Sequence, residues 1–239
     1  MKDGFDRFLH EMKPYISSHR SRQFSAWQLL SQIPITGEKK ILDLGCGDGY
    51  AIDYAMLSQK NATGIIFPIG LDICNQKKNP ALELITYDGI RFPFKDFSFD
   101  IIYCNQVLEH VRYPDILIKE VERVLRNDGV FIGSVSHIEP YHAYSIFNWT
   151  PFGLVQVFLP AGLQNIRIFP GIDGLTLLLR RITLGRFGNY FFNHQSPGNI
   201  FIQVIGRILR FSHPEINAVM LSFCGQFSFC AKKKGREQQ

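Results

Sequence analysis

The sequence predicts an α/β protein built on a doubly wound, mostly parallel sheet of seven strands. A helical cover precedes the sheet, and a helical insertion stands before a last, antiparallel strand. Three observations carry this expectation. Short apolar runs alternate with stretches of helical spacing from residue 40 to residue 135. The first of these runs ends in three glycines at alternate positions, Gly45, Gly47 and Gly49. Finally, a polar side chain stands at the ends of four successive runs: Asp43, Asp72, Asp88 and Asn105. Strand, helix, strand in repetition requires right-handed crossovers, hence a parallel sheet with helices on both faces. Ligands of such sheets collect at the carboxyl ends of the strands, where the strand order reverses.

Residues 5–35 place Phe5, Phe8, Leu9 and Met12, then Phe24, Trp27, Leu29, Leu30 and Ile33 at helical spacing. Pro14 and Ser17-Ser18 divide them, which predicts two helices packed as a cover over the sheet. His19, Arg20 and Arg22 form a polar face between them.

Ile41, Leu42 and Leu44 are the apolar run of a buried strand, and the glycines behind it turn the backbone sharply. Glycine has no side chain, so a ligand can approach the backbone and meet the N–H groups of the helix that follows. A dinucleotide fingerprint would need glycine where Tyr50 stands, and the Gly-Lys-Ser/Thr of a phosphate loop is absent. The pattern Asp43-x-Gly45-x-Gly47-x-Gly49 resembles the first motif of the class I S-adenosylmethionine-dependent methyltransferases. That resemblance implies a Rossmann-like methyltransferase fold, S-adenosylmethionine as cofactor, and a loop wrapped round its methionine part, with an acid nearby to receive the ammonium. In that family an N-terminal segment like residues 5–35 often closes over the cofactor, which would bring His19, Arg20 and Arg22 toward the methionine carboxylate.

A helix is expected over residues 51–58, and a second strand over residues 64–73. Asp72 at its end matches the family's ribose acid, since one carboxylate can accept from both hydroxyls. Residues 82–86 form a third strand, and Asp88 matches the position that accepts the adenine amine. The phrase RFPFKDFSFDIIYCNQVLEHV, residues 91–111, also resembles the family and contains the fourth strand, residues 101–104. The cofactor contacts implied are therefore Asp43, Gly45, Cys46, Gly47 and Gly49, then Asp72 and Ile73, Asp88 and Gly89, and Asn105.

An amphipathic helix over residues 115–125 is stopped by Asn127-Asp128-Gly129, and residues 130–135 make the fifth strand. Thr150 reads as a helix cap with Pro151 at the first helical position. Residues 166–169 are read as a sixth strand and residues 227–232 as a seventh, at the antiparallel edge. The reading gives a single domain over residues 1–239: cover 1–38, cofactor-binding core 39–136, and acceptor side 137–239.

Methyl transfer is an in-line displacement, so positioning supplies most of the rate, with a base needed where the acceptor is a hydroxyl. The loops after the fourth and fifth strands offer His110, His137 and His142 as candidate bases. The Asn/Asp-Pro-Pro-Tyr/Phe of amine methyltransferases of this fold is replaced by Asn105-Gln106-Val107-Leu108, which favours an oxygen acceptor of small-molecule, lipid or saccharide type. Glu109-His110 is open to a structural, an acid/base or a metal-binding reading. Gln106 stands where metal-using relatives carry a carboxylate, and no residue is assigned as a metal ligand.

Five cysteines without a CxxC pair read as reduced core residues of a cytoplasmic protein. No apolar run reaches the roughly 18 residues of a membrane span. The formal charge of +5 is uneven: residues 161–239 hold ten Lys/Arg against three Asp/Glu. An RNA-directed methyltransferase or a non-catalytic nucleic-acid binder could use that basic third. Its arginines, however, are interleaved with Leu, Ile and Phe rather than set on a polar groove, which argues against nucleic acid. The segments around Arg180-Arg181 and around Arg207 and Arg210 admit two readings. They rest on a membrane surface or receive a lipid-linked acceptor, or they are core helices capping the sheet edge with arginine stems over apolar surface.

Overall fold

Neighbouring residues of the first strand are buried on opposite faces of one sheet: Ile41 joins one apolar cluster and Leu42 the other. The structure is a computed structural model that describes residues 2–18, 20–52, 64–139 and 144–235. Its sheet has seven strands in the order β3-β2-β1-β4-β5-β7-β6. They are β1 (Glu38–Leu44), β2 (Ile65–Asp72), β3 (Glu83–Thr86), β4 (Phe99–Asn105), β5 (Leu125–Ser136), β6 (Leu163–Pro170) and β7 (Gln226–Lys233). β1 to β5 pair parallel, and β7 runs antiparallel to β5 and to β6. The order reverses between β1 and β4, so the carboxyl ends of these two strands form the switch point at which such sheets bind ligands.

The helices are α1 (Lys2–Met12), α2 (Ala26–Leu30), α3 (Pro114–Val124), α4 (Pro151–Phe158), α5 (Gly174–Ile182), α6 (Pro197–Ile208) and α7 (His213–Phe223). Leu42, Leu44, Ile102, Cys104 and Phe131 share a core with residues of α3, α4 and α7. Ile41, Ile101, Tyr103 and Ile132 share the other with α2. That period-two division is what a sheet covered on both sides requires. Thr150 caps α4 by accepting from the Gly153 N–H, as its sequence predicts.

Three expectations are corrected. β7 is not the edge strand: it hydrogen-bonds on both sides, and Phe227, Phe229 and Ala231 are fully buried in that central position, which leaves β6 at the edge. The N-terminal cover does hold two helices, the second only five residues long, and the chain between them runs extended beside β6. There Ile16 bridges Ile168, and the Phe24 N–H donates to the Pro170 carbonyl. β5 begins at Leu125, before Asn127-Asp128-Gly129. Leu125 is fully buried opposite Phe99, so the helix gives way to the sheet early, and the pairing shifts before Val130 meets Ile101. In the insertion, α6 is no core helix, since its buried residues are Asn199 and Gly206 alone. The helix expected over residues 51–58 lies almost wholly outside the described residues.

Candidate active site

Two cavities open at the carboxyl ends of the parallel strands, and Gln106 lines both. The larger, about 640 Å³, is walled by Gly45, Asp72, Ile73, Asp88, Gly89 and His110 among others. The smaller, about 270 Å³, lies between Asn105, Ser134 and Ser228 at the sheet and Gln23, Trp27 and Phe192 above it.

The glycine loop is shaped by contacts that only glycine permits. Gly45 has φ +72°, and a Cβ there would stand 2.3 Å from Val107 Cγ2. Gly47 has φ +53°, with no heavy atom of a described residue within 4 Å of where its Cβ would be. Asp72 Oδ2 accepts the Gly47 N–H at 2.9 Å, and Oδ1 accepts the Cys74 N–H at 3.2 Å. Cys74 Sγ also approaches Oδ1 at 3.8 Å, and since an ionised carboxylate has about four acceptor positions, a place is left on Oδ2 for a hydroxyl. Asp88 Oδ1 accepts from the N–H groups of Arg91 and Ile90, which hold its carboxyl below the usual range. Ile73 is 67% exposed over Gly89, an apolar surface fit for a flat ring.

Two of the expected contacts sit behind the loop. Asp43 is 2% exposed beneath it, paired in register with Gly70 and Tyr103. Cys46 is buried in the α2-side core, where burial pushes its thiol up to about 12. Its sulfur packs where a Cβ on Gly70 would stand, so only its backbone is offered to a ligand.

Between the cavities runs a polar chain. Ser134 Oγ donates to Asn105 Oδ1 at 2.7 Å and receives Gln106 Nε2 at 2.8 Å. Ser136 Oγ lies 3.1 Å from Gln106 Oε1 and 3.0 Å from Glu109 Oε1, which also accepts the Ser136 N–H. Glu109 is fully buried, and its carbonyl accepts the N–H groups of Ile146 and Phe147. These bonds make it a brace between β4, β5 and the loop beyond. Gln106 itself has φ +58°, strain that the paired serines hold in place.

His110 lines the larger cavity. His137 lines neither: its Nδ1 lies 2.6 Å from the Trp149 carbonyl and its ring meets Phe227 edge-on. Burial holds its pKa below the ordinary value. His142 and His19 lie outside the described residues. Arg20 and Arg22 do not line the larger cavity; they line one with Arg167 beside β6. Among the described residues no cluster suited to a metal ion occurs.

The roof of the smaller cavity was not foreseen. Gln23 is 3% exposed; its Oε1 accepts from Ser196 and Asn199, and its Nε2 donates to the Phe191 carbonyl. Trp27 Nε1 donates to Asn193 Oδ1. Cover and insertion thus form one lid through amides separated by some 170 residues, a pairing that no local pattern carries. Ser134 and Ser136 were legible as polar residues two apart in the apolar strand VFIGSVS.

Comparison with known proteins agrees with this geometry. Residues 42–133 match the model of a family described as "Methyltransferase domain". A fatty-acid O-methyltransferase of Mycolicibacterium smegmatis is 34% identical over 100 residues, which are 39% of this chain and 36% of that protein. A ubiquinone biosynthesis O-methyltransferase of Actinobacillus pleuropneumoniae is 32% identical over 107 residues, 40% of this chain and 45% of the other. The chain spans about half or less of the length of the curated relatives it matches. A chain of the Haloferax volcanii complex that contains the Trm112 methyltransferase activator superposes with a TM-score of 0.59 at 18% identity, covering 88% of this chain and 89% of its own. It shares the fold.

Proposed function

Because residues 42–133 form a class I S-adenosylmethionine-dependent methyltransferase domain, we propose that the chain methylates an oxygen of a small apolar or lipid-type acceptor. The observation that carries this reading is the pair of cavities meeting at Gln106.

The larger cavity suits the cofactor. Gly45 lines it and Gly47 is tied to it through Asp72, whose Oδ2 keeps a place for a ribose hydroxyl; Asp88 has its second oxygen for the adenine amine, and Ile73 with Gly89 offers the ring an apolar ledge. When bound, the sulfonium supplies an electrophilic methyl group: the acceptor oxygen forms the new C–O bond as the C–S bond breaks, and that bond's electrons stay on sulfur. The chain's own work is to hold the acceptor in line and to take the proton the oxygen loses. Asn105, expected among the cofactor contacts, lines the smaller cavity instead, and with Gln106, fixed by Ser134 and Ser136, it orients the acceptor there. Trp27, Phe24 and Phe192 give that cavity an apolar wall, and none of its described lining residues is charged. An acceptor with an apolar body and one polar atom fits such a lining; a phosphate backbone does not. Of the two described candidates, His110 lines the cleft and is assigned as the base, whereas His137 is held against Trp149 and Phe227.

The O-methyltransferases among the relatives support the acceptor class. The test is transfer of a labelled methyl group from S-adenosylmethionine to a panel of fatty acids, phenolic and quinol hydroxyls, amines and RNA. Label on an apolar oxygen acceptor, lost in Gln106→Ala, is expected. Label confined to RNA or to amines would overturn the reading.

A further inference from the structure

α6 is an inside-out helix. Asn199 and Gly206 face the protein, Gly206 closely enough that a Cβ would stand 2.7 Å from Ile216 Cγ1. Phe201, Val204 and Ile208 face outward, 66%, 47% and 70% exposed. α5, which packs beside α6, repeats the pattern: Leu177 is buried, whereas Leu178 and Ile182 are 54% and 68% exposed. The four apolar side chains at 201, 204, 205 and 208 recur at helical spacing, so they form one stripe and not scattered exposure.

Charge distinguishes what could cover this surface. Residues 174–211 contain five arginines and no aspartate or glutamate. Arg181 reaches Glu139 outside that span, while Arg207 lines a cavity with Arg20 and Arg22 of the N-terminal segment, so further cationic groups gather beside α6. A second copy of this chain would bring the same arginines to a symmetric interface with no acid to meet them. Lengths decide how the surface meets lipid. At about 1.5 Å per residue, α5 and α6 measure roughly 14 and 18 Å, short of the ~30 Å hydrocarbon core. Among the described residues no helix is long and apolar enough to cross a membrane.

We infer that α5 and α6 lie in the interface of an anionic lipid bilayer, with the Phe201 and Ile208 stripe among the upper acyl chains and the arginines at the headgroup phosphates. Apolar burial and attraction to anionic headgroups then act together, as in other interfacial helices. The inference rests on the insertion alone and is tested without cofactor or acceptor, so its outcome is independent of the catalytic reading.

The experiment is vesicle flotation of the full chain. It compares pure phosphatidylcholine with equal parts phosphatidylcholine and phosphatidylglycerol, beside the variants Phe201→Ser/Ile208→Ser and Arg207→Glu/Arg210→Glu. All four side chains are exposed, and circular dichroism checks that each variant folds. Retention on the anionic vesicles is expected, with each double variant lowering the partition coefficient about 10-fold or more. Three results overturn the inference: the parent chain floats with neither vesicle, it floats equally with both, or the variants float as the parent does. Light scattering that shows a dimer split by Phe201→Ser/Ile208→Ser also overturns it, because the stripe would then be a subunit contact.

Discussion

Asp72 Oδ2 accepts the backbone N–H of Gly47 at 2.9 Å. The carboxylate at the end of β2 therefore ties down the glycine loop at the end of β1. Its neighbour Ile73 stands exposed, so one strand end supplies both the polar and the apolar part of the proposed cofactor surface.

This double duty separates two substitutions. Asp72→Ala loses the loop tether and the hydroxyl acceptor together, and cofactor affinity should fall by about 1.5–3 kcal/mol, the range for a hydrogen bond to a charged group. Asp72→Asn keeps an oxygen for Gly47 and should lose less. Calorimetric titration with S-adenosylmethionine reads both; unchanged affinity in a folded Asp72→Ala protein would remove Asp72 from the site.

Gly45 and Gly47 both have positive φ but differ in their surroundings. Gly47→Ala should cost stability only the left-handed strain, about 1–2 kcal/mol, because no described residue stands within 4 Å of its Cβ. Gly45→Ala adds the clash with Val107 Cγ2, about 1–3 kcal/mol more, and Val107→Ala in the same chain should return that second part. Urea unfolding measures all three, and equal losses at the two glycines would contradict the placement of Val107.

How much of this was legible follows from the range of the signals. The strand runs, the glycine spacing and the strand-end acids are local, and β1 to β4 appear within a few residues of their predicted ends. β7 was misplaced because lateral order in a sheet is decided by which strand buries both edges, and neither Phe227 nor Phe229 announces a second neighbour. Glu109 was left open among three roles, since its partners are Ser136 and the loop amides of Ile146 and Phe147. The lid escaped notice for the same reason: Gln23 meets Ser196 and Asn199 across most of the chain. Exposure of Phe201 and Ile208 was undecidable from sequence, because an apolar stripe looks alike whether it faces a core or a bilayer.

His137 gives stability a pH dependence whose sign is set by burial. Burial lowers its pKa below the ordinary 6.5, so the unfolded chain binds the proton more readily than the folded one. Its contribution is complete above about pH 6.5 and is lost as pH falls through the folded value. Unfolding free energy should therefore decline from pH 7 toward pH 5.5 in the parent and decline less in His137→Gln. Identical slopes would show that the ring is not held neutral by the fold.

The sharpest test of the chemistry lies between the two described candidate histidines. His110 lines the cleft proposed for the cofactor, whereas the His137 ring is committed to Trp149 and Phe227. If His110 takes the acceptor's proton, His110→Asn should lower kcat by about 10²–10⁴-fold with little change in cofactor affinity. His137→Asn, folded, should stay within a few-fold of the parent. Turnover of His110→Asn within a few-fold of the parent would mean that Asn105 and Gln106 act by alignment alone and that the proton leaves to water.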